Sequence, residues 1–173
     1  MNELSFRIRR EEPGDIDRID YVTRAAFAGA AHSSKTEHFI LKALRERGEL
    51  HLSIVMENEG GHIVGHVAVS PVCIPGFEGH SWYGLGPVSV LPGVQGIGIG
   101  AALIKAALKE LKGQGAEGCV VLGDPGYYAR FGFVRDPGLS YPGVPPEYFQ
   151  VLSFGKRIPV GTVLYSEAFN ARG

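Results

Sequence analysis

The chain has almost no cysteine, no long apolar run and no excess of charge of either sign, and each shortage removes a class of function. Its two cysteines, Cys73 and Cys119, are too few for a disulfide framework; both lie inside apolar runs and read as buried, reduced thiols in a reducing compartment. Lys and Arg number 17 against 18 Asp and Glu, a formal net charge of -1, so nothing points to nucleic acid or to an anionic membrane surface. With 45% hydrophobic and 20% charged residues the chain is not of disordered composition. No segment is apolar enough to span a bilayer, and the stretch from Met1 to Arg7 lacks the apolar core of a signal peptide. The expectation is a soluble, cytoplasmic protein. Internal repeats, low-complexity tracts and breaks in composition are lacking too, so residues 1–173 are expected to form one domain, long enough to bury a core. Glycine, in contrast, is plentiful at 25 residues. Many of these lie between Gly76 and Gly143 at the edges of apolar runs, where the backbone has special tasks.

Periodicity orders the elements. Phe6 to Arg10 alternates as a half-exposed strand, and Pro13-Gly14-Asp15 opens a helix carrying Ile16, Ile19, Val22, Ala26 and Phe27 at helical spacing. A second helix runs from Ser34 or Thr36 to about Arg47, with Gly48 as its stop. Leu50 to Met56 and Ile63 to Ile74 read as an antiparallel hairpin and Ser81 to Val90 as a further strand. Ile97 to Leu111 is an amphipathic helix free of proline, and Cys119 to Leu122 is a short strand buried on both faces. A brief turn or helix follows from Pro125 to Arg130. Strands near Gln150 to Phe154 and Thr162 to Ser166 flank a proline-rich stretch.

Two features carry chemistry. In Gln95-Gly96-Ile97-Gly98-Ile99-Gly100-Ala101, three glycines alternate directly before a helix, so backbone N–H groups converge on one spot with the positive end of the helix dipole behind them. That arrangement suits a phosphate or diphosphate, and side chains at Gly98 or Gly100 would fill the space it needs. Before it, Trp82 to Val90 contains Gly84, Gly86 and Pro87. Proline cannot donate to a ladder, so this strand must bulge or part from a neighbour near Gly86 and Pro87, leaving main-chain groups for an extended ligand with amides of its own.

The order of elements, the glutamine-led glycine loop Gln95-x-x-Gly98-x-Gly100 and the ending Tyr128-Ala129-Arg130-Phe131-Gly132-Phe133 together resemble the GNAT superfamily of acyl-coenzyme A dependent N-acyltransferases over nearly the whole chain. The resemblance implies an α/β (α+β) fold, with a mixed, mostly antiparallel central sheet flanked by helices and a splayed strand before the glycine loop. It implies acetyl-coenzyme A as cosubstrate, with no metal. Gln95, Gly96, Ile97, Gly98, Ile99, Gly100 and Ala101 would bind the diphosphate. Val88, Ser89 and Val90 would bind along the strand, Val88 and Val90 by hydrogen bonds to pantetheine and the thioester carbonyl. The acceptor would be a primary amine of a small molecule or peptide, in a site formed by Gly29 to Ser34, the strand ends and the proline-rich stretch. A homodimer is left open. Where many members carry a longer helix with an asparagine on coenzyme A, this chain has Asp124, which either contacts a ligand or caps the following turn.

Acetyl transfer to an amine needs an unprotonated amine, donors for the developing oxyanion and stabilisation of the departing thiolate. Tyr128 is the candidate for the last role, through a shared proton: with reference pKa values of about 10 for tyrosine and about 8.5 for a thiol, full transfer is uphill. Tyr127 reads as packing. No general base declares itself among His32, His38, His66, Glu37, Glu147 and Asp124. Two rivals remain at this level. Gly96-x-Gly98-x-x-Ala101, with Asp124 about twenty residues further on, also fits a dinucleotide-binding oxidoreductase. A non-catalytic acyl-coenzyme A sensor would keep the loop without turnover.

Overall fold

The computed structural model of the chain describes residues 5–31, 33–155 and 157–173. Strand β1 (Arg7–Arg10) leads through a turn into α1 (Ile16–Phe27), then α2 (Glu37–Glu46), β2 (Leu52–Glu57), β3 (Ile63–Pro71), β4 (Trp82–Val90) and α3 (Ile99–Gly113). After these come β5 (Gly118–Leu122), α4 (Pro125–Tyr128), β6 (Leu139–Ser140), β7 (Phe149–Ser153) and β8 (Gly161–Thr162). Local chemistry sets the first boundary. Asp15 accepts from the Glu12 backbone N–H at 2.7 Å and takes both terminal nitrogens of Arg9 at 2.7 and 3.0 Å, tying β1 to the start of α1. The Arg9 guanidinium holds the Asp15 carboxyl below its ordinary range, against a smaller opposing effect of burial.

Six strands form one sheet in the order β1-β2-β3-β4-β5-β7, and β6 pairs with β8 apart from it. Within the sheet only β4 and β5 run parallel. A dinucleotide-binding fold needs a parallel sheet with its ligand at a switch in strand order, so that rival is excluded. Alternation along the strands splits the core between two faces. On one face Ile54, Val67, Leu85, Cys119 and Val121 pack under α3 through Leu103, Ile104, Ala107 and Leu111. On the other, Val55 and Ala68 meet Ile19 and Val22 of α1 and Leu41 of α2. Over β5 and β7 this second face is covered by the C-terminal segment, with Leu139 and Val163 against Trp82, Val120 and Val151. Burying each such Leu, Ile or Val side chain stabilises the fold by about 1.5–3 kcal/mol.

Three expectations change. The strand anticipated at Thr162 to Ser166 is only Gly161–Thr162, and it pairs in parallel with β6. The segment from Ile63 to Ile74 leaves the sheet after Pro71, and a single bridge from Cys73 to Leu164 continues it. For that reason Cys73 is exposed rather than buried, whereas Cys119 is buried as expected, and both are free thiols. Among the described residues no helix is long and apolar enough to cross a membrane.

Candidate active site

The register of β4 decides which main-chain groups are available. Strand β3 pairs with β4 at Val67↔Val88 and again at Val69↔Leu85, so one residue of β3 faces two of β4 and the strand bulges at Gly86-Pro87, whose peptide bond is cis. Strand β5 accompanies β4 only from Trp82↔Gly118 to Leu85↔Val121. Beyond Leu85 the two strands part. Leu91 donates to the Val64 carbonyl at 2.9 Å, which fixes the parity of the ladder: hydrogen-bonded residues alternate. Ser89, two residues back and opposite His66, therefore turns its N–H and C=O to β3, and Val88 and Val90 turn theirs into the opening left by β5. The Val90 carbonyl is met there by the Gln95 side-chain amide at 2.9 Å. The Ser89 side chain is buried on the face opposite α3, its Oγ without a hydrogen bond among the described residues. Of the three strand residues, Val88 and Val90 have the placement an extended ligand needs.

The glycine loop forms the neighbouring wall. Gly96 and Gly98 adopt φ of 80° and 93°, a left-handed backbone that costs L side chains roughly 1–2 kcal/mol. Gly98 is the N-cap of α3, whose first helical bond runs from the Ala102 N–H to the Gly98 carbonyl at 3.0 Å. The N–H groups of Ile99, Gly100 and Ala101 thus have no partner within the helix. A Cβ built at Gly96 or Gly98 meets nothing within 4 Å, and one at Gly100 meets only the Tyr127 hydroxyl at 3.5 Å and Val90 at 3.7 Å. The space above these donors is open. Ile97 is exposed, and Ile99 is buried in the core beneath α3, so these two can serve a ligand through the main chain.

A cleft of about 480 Å³ is lined by the loop and by Tyr127, Tyr128 and Arg130, together with Ala26 and Phe27 at the end of α1 and Ala30 just after it. Val88, Val90, Gln95, Gly96, Gly98, Ile99, Gly100 and Ala101 line the same cleft. Asp124 accepts from the Gly126 N–H at 2.9 Å and caps α4, which answers the question its position raised. The cap starts a short turn that brings Tyr128 down onto Gly123, so closely that a Cβ there would lie 2.3 Å from the ring. The ring is further fixed against Tyr127, Phe131 and Phe133. Its hydroxyl has no hydrogen bond among the described residues, and burial, with smaller effects of Tyr127 and Cys119, pushes its pKa up to about 12. It is a proton donor throughout the physiological range.

The candidate bases lie elsewhere. His66 is fully buried between the sheet and the helices, its Nε2 2.8 Å from Ser53 Oγ; burial, aided by the Arg45 charge, lowers its pKa to about 3. Glu37 is engaged by Ser33 and the Thr36 N–H. His38 lies tilted against the Phe39 ring, Glu147 is exposed, and His32 lies outside the described residues. None of the five described candidates lines the cleft. Sequence reasoning missed Arg130, Tyr127 and Gly123. The signal for Arg130 was its place in the aromatic motif itself; that for Gly123, a glycine directly after a buried strand.

Comparison with known proteins agrees with this geometry. A family model described as an acetyltransferase (GNAT) domain matches residues 49–135. The uncharacterized N-acetyltransferase YhbS of Escherichia coli K12 is 37% identical over 94% of this chain and 98% of its own. A crystal structure of YhbS from Escherichia coli in complex with coenzyme A superimposes with a TM-score of 0.89 at 33% identity, covering 100% of this chain and 96% of that one. A GNAT family acetyltransferase from Brucella melitensis, crystallised with acetyl-coenzyme A, superimposes at 0.85 with 49% identity, covering 95% of this chain and 98% of that one. Sequence, fold and site agree: the chain belongs to the GNAT family of N-acetyltransferases.

Proposed function

We propose that the protein moves an acetyl group from acetyl-coenzyme A to a primary amine of a small molecule or peptide by direct attack. The reading rests above all on one juxtaposition: unpaired main-chain donors of the loop, the outward-facing main chain of Val88 and Val90, and the protonated Tyr128 hydroxyl share one cleft. The Brucella relative binds acetyl-coenzyme A and YhbS binds coenzyme A, which supports the same cosubstrate here. In this reading the N–H groups from Gln95 to Ala101 hold the diphosphate and the edge of β4 pairs with the amides of pantetheine. Ser89 supports that edge by tying it to β3.

The amine nitrogen attacks the thioester carbon, the oxygen gains charge, and the C–S bond then breaks as nitrogen loses its proton. A main-chain donor of β4 steadies the oxyanion. Tyr128 donates a hydrogen bond to the leaving sulfur. With its pKa near 12 and a thiol near 8.5, complete transfer is uphill by about 5 kcal/mol, so the proton is shared in the transition state and the thiolate is finally protonated from solvent. Direct attack is favoured because no cysteine, serine or histidine lines the cleft among the described residues, and the Cys119 thiol is buried with its pKa raised by that burial. The amine's proton leaves through water, since no described carboxylate or imidazole lines the cleft. We place the enzyme in the cytoplasm, where a free, exposed Cys73 stays reduced.

The test is thiol release from acetyl-coenzyme A across a panel of amino acids, polyamines, amino sugars and peptides. Amine-dependent release with at least one class is expected. Binding of acetyl-coenzyme A without release for any class would turn the reading toward a sensor.

A further inference from the structure

A row of polar side chains that acetyl transfer leaves unused crosses the sheet on the face opposite α3. It starts at Arg45 of α2, which is ion-paired with Glu11, the residue after β1. Glu11 stays on the edge of the ladder, its N–H donating to the Ser53 carbonyl of β2 at 2.9 Å, and its carboxylate accepts from the Ser53 hydroxyl at 2.8 Å. Ser53 Oγ in turn lies 2.8 Å from Nε2 of His66 on β3. His66 stands directly opposite Ser89 of β4, and opposite residues of a ladder carry their side chains on one face, with Cβ atoms about 4.5–5.5 Å apart. Both residues are buried, and the two atoms that end the row, His66 Nδ1 and Ser89 Oγ, have no hydrogen bond among the described residues.

Donor and acceptor roles along this row are fixed from its charged end. A carboxylate only accepts, so the Ser53 hydroxyl spends its one hydrogen on Glu11 and has lone pairs left for His66. Nε2 must therefore carry a hydrogen and donate it. The ring is neutral, since burial and the Arg45 charge hold its pKa near 3, and a neutral imidazole with its hydrogen on Nε2 has a bare lone pair on Nδ1. That lone pair and the Ser89 hydroxyl are complementary, an acceptor and a donor, and buried polar groups of this kind are satisfied in folded proteins. We propose that His66 is a positioning residue for the cosubstrate strand: held as the Nε2–H tautomer by Ser53, it accepts a hydrogen bond at Nδ1 from the Ser89 hydroxyl, directly or across one water molecule, and steadies Val88 to Val90 from behind. The need is local. Beyond Leu85, β4 has parted from β5 and only β3 still pairs with it, in the stretch where the main chain of Val88 and Val90 meets pantetheine. The inference rests on that reading of the cleft.

Nitrogen NMR of isotope-labelled histidine and calorimetry with coenzyme A, on the wild type, Ser89→Ala, Ser53→Ala and the double variant, test it. In the wild type at neutral pH the His66 signals should show a hydrogen on Nε2 and a hydrogen-bonded lone pair on Nδ1. Ser89→Ala should move the Nδ1 resonance toward that of a free lone pair and keep the hydrogen on Nε2. Each single variant should weaken coenzyme A by about threefold to tenfold, the range of one neutral hydrogen bond. Ser53 lies on β2, with β3 between it and β4, so a purely structural role would lower the melting temperature without reaching coenzyme A. Because the two serines are linked only through His66, the double variant should lose no more than about the larger single effect. A hydrogen on Nδ1, an Nδ1 resonance that ignores Ser89, additive losses, or unchanged affinity in folded variants would each overturn the proposal. A wild type that binds no coenzyme A would instead refute the cosubstrate reading beneath it, with the tautomer still read by NMR.

Discussion

Replacing Tyr128 by phenylalanine separates chemistry from packing more cleanly than any other change in the cleft. The ring sits on Gly123 and against Tyr127 at 5.1 Å, Phe133 at 5.9 Å and Phe131 at 6.2 Å between centroids, and phenylalanine keeps all four contacts. The hydroxyl makes no hydrogen bond among the described residues, so its loss should change stability by no more than about 0.5 kcal/mol. In the proposed transition state the same hydroxyl would face a sulfur gaining negative charge, where a charge-assisted bond contributes about 1.5–3 kcal/mol, or roughly tenfold to a hundredfold in rate. Because that bond forms only as the thiolate develops, kcat and kcat/KM should fall together, with acetyl-coenzyme A affinity unchanged. Steady-state thiol release, thermal unfolding and calorimetry on the same preparation read all three quantities. With the pKa near 12, the wild-type rate should show no falling limb from this residue below about pH 11. A folded Phe variant retaining nearly full kcat with a competent amine would show that Tyr128 only packs.

Two other perturbations test the anion site and the interior. Gly100→Val should abolish acetyl-coenzyme A binding in calorimetry without unfolding the protein. Position 100 is helical, and its Cβ would meet only ordinary contacts at 3.5 and 3.7 Å, so the branched side chain enters the ligand's space rather than the core; unchanged affinity in the folded variant would remove the loop from binding. His66 bears on pH dependence. The folded protein keeps it neutral down to about pH 3, while the unfolded chain takes up its proton near pH 6.5. Stability should therefore fall with pH through that window, by about 2 kcal/mol at pH 5 relative to neutrality. Chemical denaturation of the wild type and His66→Gln at several pH values checks this: the variant should lose that slope, and parallel slopes would place the effect elsewhere.

What could be read in the sequence was whatever depends on local rules. The helices at Ile16–Phe27 and Ile99–Gly113 and the strands at Trp82–Val90 and Gly118–Leu122 announce themselves by period and by glycine or proline at their ends. The bulge at Gly86-Pro87 was legible because proline removes a donor whatever its partner. Which of Val88, Ser89 and Val90 faces the opening came from the family resemblance and not from local rules, since parity depends on the bond from Leu91 to Val64, a contact between segments 27 residues apart in number. Tyr127 and Tyr128 show the same limit. They are adjacent and chemically alike, yet one lies on Gly123 while the other carries Arg130 and reaches toward Gly100, a division of labour set by how α4 lands on the end of β5. Cys73 misled for the same reason: its apolar neighbours suggest burial, but they belong to a segment that has already left the sheet.

The near-zero net charge likewise gave no sign of the proposed anion site, and the physical reason is general. Net charge counts ionised side chains, whereas the positive potential at the glycine loop itself comes from peptide groups: the unpaired N–H donors of the first turn of α3 and the dipole behind them, equivalent to roughly half an elementary charge. These contribute nothing to a count of Lys and Arg. They also require the absence of side chains, which is why the loop appears in the sequence as glycines rather than as a basic cluster. Gly96 and Gly98 are glycines because of their positive φ, and Gly100, in ordinary helical conformation, because of the space it leaves. In the proposed reading, an anion site made this way would hold a diphosphate by shape and be weakly selective among ligands that share one.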